Sequence, residues 1–284
     1  VYCKKCEIRT MPSGACSKCA RESSGEKCSH CGGKVIQSRK FKISLQQILE
    51  NAFKELKIKP PEVKGVKGLI NNSKVAEPIE KGILRAKYGL FVFRDGTIRY
   101  EALNAPLTHF KPKEISLSVE KAKELGYTKD FEGKELISEN QMLELFPQDI
   151  ILFEGAIDWM TKVCNFIDEL LEKFYKVEKL HNIKSKEDLI GEIVLGLAPH
   201  TSAGVAARVI GFSKSRLAWG HPYWGHAKRR NYDGDQDSIM LLSDALLNFS
   251  SNYLSEGRGG RMDTPLVFTL ILNPEEIDSE IYKA

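Results

Sequence analysis

The chain has 284 residues, 42% of them hydrophobic and 28% charged, with a net charge of +4. That is enough for one large domain or two modest ones with a real core, and it excludes a disordered or fibrous class. No apolar run approaches the length of a membrane-spanning helix, and nothing signals export, so a cytoplasmic protein with no membrane partner is expected.

The charge is unevenly spread. Residues 1–81 hold 17 Lys and Arg against 8 Asp and Glu, while the remainder holds 25 against 30. A basic first third suggests contact with a polyanion. Val1 stands where a methionine would open a gene product, and the final NPEEIDSEIYKA stops without a closing element. The chain reads as a piece of a longer protein.

Six of the seven cysteines fall in the first 31 residues as Cys3-x2-Cys6, Cys16-x2-Cys19 and Cys28-x2-Cys31. A C-x2-C pair places two thiolates on one tight turn, and two such knuckles complete a tetrahedral Zn²⁺ shell. Three knuckles make one and a half sites. Cys16 and Cys19 pair either with Cys3 and Cys6 or with Cys28 and Cys31, and the spare knuckle needs partners from elsewhere. Four thiolates leave zinc no open position, so a structural role is expected. Cys164 sits in an apolar pattern and reads as a small buried hydrophobe.

Ser44 and Gln47 stand in capping-box spacing before a stripe of Leu45, Ile48, Leu49, Ala52, Phe53 and Leu56, which predicts a helix closed by Pro60 and Pro61. A Lys- and Gly-rich connector follows to residue 81. From 82 to about 152 the pattern is mostly β. LFVFRDGTIRY alternates around Asp95-Gly96 as a hairpin would, Pro106 and Pro112 suit strand edges and turns, SVEKAKELGY is a short helix closed by Gly126, and MLELFPQDIILF reads as a strand pair. Residues 154–180 are the strongest helical pattern, with Met160, Val163, Phe166, Ile167 and Leu170 among its apolar positions. Ser185 and Asp188 are expected to cap a second helix to about Leu195. PHTS, from Pro199 to Ser202, reads as the entry to a helix over AGVAARVIGF, and QDSIMLLSDALLNFSSNYL as a further helix. TPLVFTLIL, from Thr264 to Leu272, predicts a buried strand.

Between the last two helical patterns lies KRRNYDGDQDSIM, from Lys228 to Met240. Asp233, Asp235 and Asp237 recur every second residue around Gly234. A Ca²⁺-binding loop of the EF-hand kind is excluded: it needs glycine at its sixth position and glutamate at its twelfth, whereas counting from Asp233 these are Gly at the second and Asp244 at the twelfth. A helix cap with surface acids is the plain alternative. Two carboxylates on a glycine turn also suit Mg²⁺, which binds few protein oxygens and leaves places for substrate and water. Lys228, Arg229 and Arg230 would then meet substrate phosphates. Arg258 and Arg261 flank two glycines that permit close approach to a DNA phosphate. His200, His221 and His226 surround the motif and read more readily as hydrogen-bonding residues than as ligands; His109 and Lys111 are weaker candidates still.

Three long stretches carry a family resemblance: GLAPHTSAGVAARVIGF, HPYWGHAKRRNYDGDQDSIMLLSDALLNFSSNYL and RGGRMDTPLVFTLIL. Together with KGILRAKYGLFVFRDGTIRYEALNAPLTHFKP and the knuckles, they resemble the catalytic region of the large subunits of archaeal family D DNA polymerases, collinearly over essentially the whole chain. The resemblance implies an α+β architecture: N-terminal zinc-ribbon modules, then a double-psi β-barrel catalytic region with inserted helices. Its parts would be zinc knuckles over 1–35, a helix and basic connector over 36–81, and the catalytic region over 82–284, with helical insertions at 154–212 and 236–255. It implies a DNA-directed DNA polymerase in which Asp233 and Asp235 hold Mg²⁺ at the primer 3′-hydroxyl and the nucleotide α-phosphate. Asn231 would shape the loop or help hold metal, Asp237 would stand behind it or at a helix start, and Tyr232 fills a variable position. Implied partners are a DNA primer-template, deoxynucleoside triphosphates, a small proofreading subunit, and a sliding clamp and primase. The family's first barrel, with basic residues facing the aspartates, would lie upstream of Val1, so little or no polymerase activity is expected of this chain alone. Two readings compete: a zinc-ribbon module for nucleic-acid binding or subunit docking without activity of its own, and a more distant RNA polymerase-like enzyme.

Overall fold

A computed structural model describes residues 14–19, 21–23, 26–36, 44–58, 62–65, 77–230, 232, 234–248 and 262–273. The chain forms two compact units, Val1–Leu49 and Glu50–Ala284.

The first unit holds a small antiparallel sheet in which β1 (Gly14–Cys16) lies between β2 (Glu22–Ser23) and β3 (Val35–Ile36). Among the described residues its buried apolar cluster is Cys16, Cys28 and Val35, with Cys19 against them. A cluster of that size adds little against the entropy of ordering the loops, and a metal is the usual supplement in small units. Helix α1 (Leu45–Leu56) starts where its cap predicts, with the Ser44 hydroxyl accepting from the Gln47 amide at 3.3 Å. Ala52 and Leu56 are buried, while Leu45 and Ile48 at its start are exposed.

The second unit is built on a closed six-stranded β-barrel. Its strands are β4 (Tyr100–Pro106), β7 (Asp149–Phe153), β8 (Ile193–Leu197), β9 (Ala203–Ser213), β10 (Leu217–Gly220) and β11 (Gln236–Leu241). Around the barrel the order is β9-β7-β10-β4-β11-β8, closed by the antiparallel β8–β9 pairing. The sense is mixed: β10 runs parallel to β4 and β7 parallel to β9, and the other neighbours are antiparallel. Closure removes the unpaired edges that an open sheet would expose. β12 (Val267–Thr269) adds to β9 in parallel. Outside the barrel lie α2 (Ile79–Lys87), α4 (Ala156–Leu170), α5 (Pro222–Ala227) and α6 (Leu242–Asn248). The two-stranded pair β5 (His109–Phe110) and β6 (Leu143–Glu144), with α3 (Val119–Glu124), encloses a further core of Phe110, Leu117, Tyr127 and Leu136 that joins the barrel at Ile151 and Ile210.

Several expectations hold locally. Pro106 ends β4 and Pro112 opens a 3₁₀ turn, Pro112–Ile115. Ser118 caps α3, and Gly126 closes it with φ +104°. Met160, Val163, Phe166, Ile167 and Leu170 are all buried on α4.

Others are corrected. AGVAARVIGF is not helical; it is most of β9, buried along nearly its whole length. QDSIML is β11 rather than the start of a helix, which begins only at Leu242. A barrel strand covered on its outer face is buried on both sides, so it reads as a continuous apolar run, and periodicity cannot separate that from a buried helix. The Ser185–Asp188 box forms, but it holds a single 3₁₀ turn, Lys186–Leu189, before β8 begins. The long helix stops at Leu170 and ends in a π turn, Leu171–Tyr175. The helical insertions expected at 154–212 and 236–255 therefore hold strand as well as helix: β8 and most of β9 follow α4 in the first, and β11 precedes α6 in the second. TPLVFTLIL contributes only the three residues of β12, and Val267, Leu270 and Ile271 are exposed. MLELF and DIILF are both strands, yet they belong to different sheets. The Asp95-Gly96 turn forms, with Phe93 N–H donating to Thr97 at 2.9 Å, without a flanking hairpin.

Candidate active site

The acidic turn joins α5 to β11 and lies beside the C-terminal half of β4. β10 ends at Gly220, and Pro222 at the first helical position starts α5. The His221 Nδ1 accepts from the Tyr223 amide at 3.1 Å, which makes this imidazole a helix cap; burial lowers its pKa, against the raising effect of Glu144 and with a further lowering by His109. After Lys228 the backbone turns left-handed three times, at Arg229 (φ +59°), Tyr232 (φ +56°) and Gly234 (φ +95°). Such a path turns the chain back sharply, and only the glycine adopts it without strain.

Two contacts fasten the turn. The Asn104 amide on β4 donates to the Asp235 carbonyl at 3.0 Å. The Tyr232 hydroxyl donates to the His221 carbonyl at 2.9 Å, with its ring against Gly225, where a Cβ would lie 1.8 Å from Cε2. Tyr232 is therefore a structural anchor, not an indifferent residue. Gly225→Ala is expected to dislodge the ring and destabilise the protein by about 1–3 kcal/mol, as overpacking does, measurable by denaturant unfolding.

Asn231 and Asp233 lie outside the described residues, as do Arg258, Arg261, Cys3 and Cys6. Asp235 is described: its side chain is 43% exposed, and its Oδ2 accepts from Arg230 Nη1 at 2.9 Å. Asp237 is wholly buried on β11, two residues further on, rather than at a helix start. Its Oδ2 accepts from the Lys228 ammonium and from Asn104 Nδ2 at 3.1 Å, and its Oδ1 lies 3.7 Å from Arg230 Nε. Lys228 is also wholly buried, with its ammonium 3.3 Å from the centroid of the Trp224 ring. Burial lowers its pKa to about 8, against the raising pull of Asp237. The expected phosphate-binding role of Lys228 is corrected here, because its charge is committed to Asp237 inside the protein. Arg229 is exposed and Arg230 half-buried. Asn104, 133 residues from Asp237, could not have been associated with the motif by spacing.

Two clefts flank the segment around His200. One, of ≈ 360 Å³, is lined by Arg99, Glu101, His200, Gln236 and Ser238 among others. The other, of ≈ 330 Å³, lies along His200–Ala203, Ala227, Arg229 and Val267. His200 is held in left-handed backbone by its amide, which donates to Asp263 Oδ1 at 2.5 Å. His226 is half-buried on α5; His109, on β5, is exposed, bonded to Thr108 and edge-on to Phe131; Lys111 precedes the 3₁₀ turn.

Of the three residues expected to hold Mg²⁺, Asp235 is the one described. Asp235 offers an oxygen toward solvent, as a hard divalent cation requires, and among the described residues nothing lies within 4 Å of the place a Cβ would take on Gly234.

In the N-terminal unit, Cys16, Cys19, Cys28 and Cys31 come together. The sulfurs of Cys16 and Cys31 are 3.4 Å apart, those of Cys19 and Cys31 3.5 Å, and those of Cys19 and Cys28 3.7 Å. A tetrahedron of thiolates about Zn²⁺ has edges of about 3.8 Å, and all four thiols are free. The knuckle turns aim amides at sulfur: the Cys19 and Lys18 amides lower Cys16 to about 6, and those of His30 and Cys31 lower Cys28. Of the two pairings left open by spacing, the structure makes the second. Cys16→Ser is expected to remove one equivalent of zinc, measured by elemental analysis of the purified protein; unchanged zinc content would contradict this site. A second group, Cys164, His181 and Glu192, is also close. Both imidazole nitrogens there are engaged, by Glu192 and by Ser243, each at 2.9 Å.

Fold and site define a class: an α+β protein on a closed β-barrel, with an acidic glycine turn at its surface and a four-cysteine cluster of zinc geometry in a separate unit. The family described as "DNA polymerase II large subunit DP2, catalytic domain" matches residues 56–284. The chain belongs to this family, the large subunits of archaeal family D DNA polymerases. It is 50% identical over 288 residues to the DNA polymerase II large subunit of Pyrococcus furiosus, covering 99% of this chain and 23% of that protein. It is 49% identical to the Archaeoglobus fulgidus protein of that name and 48% identical to the Methanocorpusculum labreanum one, covering 99% and 98% of this chain and 25% of each relative. The chain thus spans about a quarter of the length of these curated relatives. Among the described residues, no helix is long and apolar enough to cross a membrane.

Proposed function

We propose that this chain carries the metal-binding acidic turn of a DNA-directed DNA polymerase that works by two-metal nucleotidyl transfer. The observation that supports it most directly is the exposed Asp235 carboxylate on a turn pinned to the barrel, in a chain of this family. Asp233 and Asp235 are the proposed Mg²⁺ ligands, and Asn231 shapes the loop between them and α5. Bound Mg²⁺ would supply Lewis-acid stabilisation of the attacking and leaving oxygens in an in-line displacement at the α-phosphate. The protein's own part is positioning. Asn104, Tyr232 and Gly234 would hold the turn at Asp235, so that its geometry is set before substrate arrives. Arg229 and, past the turn, Arg258 and Arg261 are the proposed contacts to nucleotide and DNA phosphates.

The barrel is proposed to be of the double-psi kind, a reading favoured by six closed strands of mixed sense. The rest of the longer protein would complete the cleft with basic residues opposite the acidic turn, and this chain alone would have little activity. Primer-template DNA and deoxynucleoside triphosphates are the proposed substrates. A small proofreading subunit, a sliding clamp and primase are the proposed partners, with the zinc-type modules as docking surface for protein or DNA. Replication in the cytoplasm is the setting this implies.

The test is primer extension by the full-length protein bearing Asp233→Asn and Asp235→Asn, with zinc content and DNA affinity as controls. Extension that survives with both controls unchanged would sink the catalytic reading and leave a binding or docking module. Comparing deoxy- and ribonucleotides separates DNA from RNA synthesis.

A further inference from the structure

Arg230 sits between two carboxylates and satisfies neither fully. Its Nη1 donates to Asp235 Oδ2 at 2.9 Å, while its Nε stops 3.7 Å short of Asp237 Oδ1. Both Arg230 Nε and Asp237 Oδ1 are buried, and neither has a hydrogen-bond partner among the described residues. Native proteins leave few such atoms, because each costs the desolvation of an unpaired polar group. The other oxygen of Asp237 is already occupied by Lys228 and Asn104. The open oxygen therefore faces the open guanidinium nitrogen across a gap about 0.8 Å longer than a hydrogen bond. The Arg230 backbone is tied down by its amide, which donates to the Gly225 carbonyl at 3.0 Å, so the side chain alone can close that gap. The guanidinium is a rigid planar fork. Nη1, in the same plane, must therefore move when Nε closes on Asp237.

We propose that Arg230 is a tethered place-holder cation with two seats. Without divalent metal it lies on Asp235 and relieves the repulsion of the crowded carboxylates. When a divalent cation takes Asp235, Arg230 transfers onto the waiting oxygen of Asp237. Asp237 is thus a positioning residue: its buried, half-satisfied carboxylate, anchored by Lys228 and Asn104, is the second seat that lets Asp235 be released. This inference rests on the reading that Asp235 holds a metal. It gives both Arg230 and Asp237 roles that neither phosphate binding nor helix capping describes.

Mn²⁺ is the probe. Its binding to the full-length, zinc-loaded protein, without DNA or nucleotide, is read from the electron paramagnetic resonance of free Mn²⁺. The background is that of the protein with Asp233→Asn and Asp235→Asn. Arg230→Gln removes the competing cation and is expected to tighten Mn²⁺ binding roughly tenfold, a usual coupling between linked events. Lys228→Met with Asp237→Asn removes the second seat without stranding a buried charge, and is expected to weaken binding by roughly the same factor. Adding Arg230→Gln to that pair should abolish the weakening, since no cation remains to be displaced. The inference is overturned if the paired variant binds Mn²⁺ like the unmodified protein. It is equally overturned if the weakening persists once Arg230 is gone, which would mean the turn had simply collapsed. Should the paired variant melt too low to measure, Arg230→Gln alone decides, and unchanged or weaker binding refutes the proposal. If Asp235→Asn itself leaves Mn²⁺ binding intact, the metal reading of the turn fails. If only the Arg230 cycle fails, that reading stands.

Discussion

Replacing Asp233 and Asp235 together by asparagine is expected to reduce single-turnover primer extension by the full-length protein about a thousandfold or more. Asparagine keeps the size and one oxygen of each side chain, so the turn should persist. What disappears is the pair of negative charges that would hold divalent cations against the reacting phosphate. A metal ion contributes several kcal/mol of charge stabilisation in such a displacement, and each ~1.4 kcal/mol is a factor of ten in rate. The anchors of the turn do not depend on these carboxylates: Asn104 binds the Asp235 backbone carbonyl, and Tyr232 binds that of His221. Zinc content and melting temperature should therefore hold. DNA affinity should hold or rise, since two charges that repel phosphate are gone. A loss of extension accompanied by a loss of folding would not count in favour of the catalytic role.

The second large effect is on stability. Lys228 and Asp237 form an ion pair with both side chains wholly buried. Breaking such a pair from one side strands the other charge and typically costs ~3–5 kcal/mol, whereas replacing both partners by uncharged groups is often near neutral. Asp237→Ala should be the worse single change. It leaves the Lys228 ammonium with only the Trp224 ring face and places it near the like charge of Arg230. Lys228→Met should cost less, because Asp237 keeps Asn104 and gains room for Arg230. For a domain of this size, the loss from Asp237→Ala corresponds to a fall of roughly 10 °C in melting temperature. The double variant Lys228→Met with Asp237→Asn should recover most of it, a non-additivity expected of residues in contact. Thermal melts of the three variants check this, and additive effects would show that the pair is not coupled.

Much of the site was legible in the sequence. The spacing of Asp233, Gly234 and Asp235 is what suggests the proposed metal-binding turn, because that chemistry needs only neighbouring residues and a backbone that can fold back on them. The same holds for the cysteine knuckles, for the Ser44 cap and for Gly126, all of which act within about four residues. Features that depend on distant partners were hidden. Nothing near Lys228 announces that its charge is used internally, because the pairing requires β11 to lie beside β4 and bring Asn104 alongside Asp237. Tyr232 looked dispensable because its partners, Gly225 and the His221 carbonyl, belong to the preceding helix and its cap.

The local sequence thus determined the cysteine knuckles, the turns and the helix caps, since these are short-range and set by residue type. The tertiary structure alone decided that AGVAARVIGF and QDSIML are strands, that Cys16 and Cys19 join Cys28 and Cys31, and that the second and third charges of the basic cluster face inward to differing degrees or out to solvent while the first is buried. For the strands the reason is physical. A strand buried on both faces carries no periodic signature, and the ladder bonds and side-chain contacts such as that of Asn104 to Asp237 are made with residues far away along the chain.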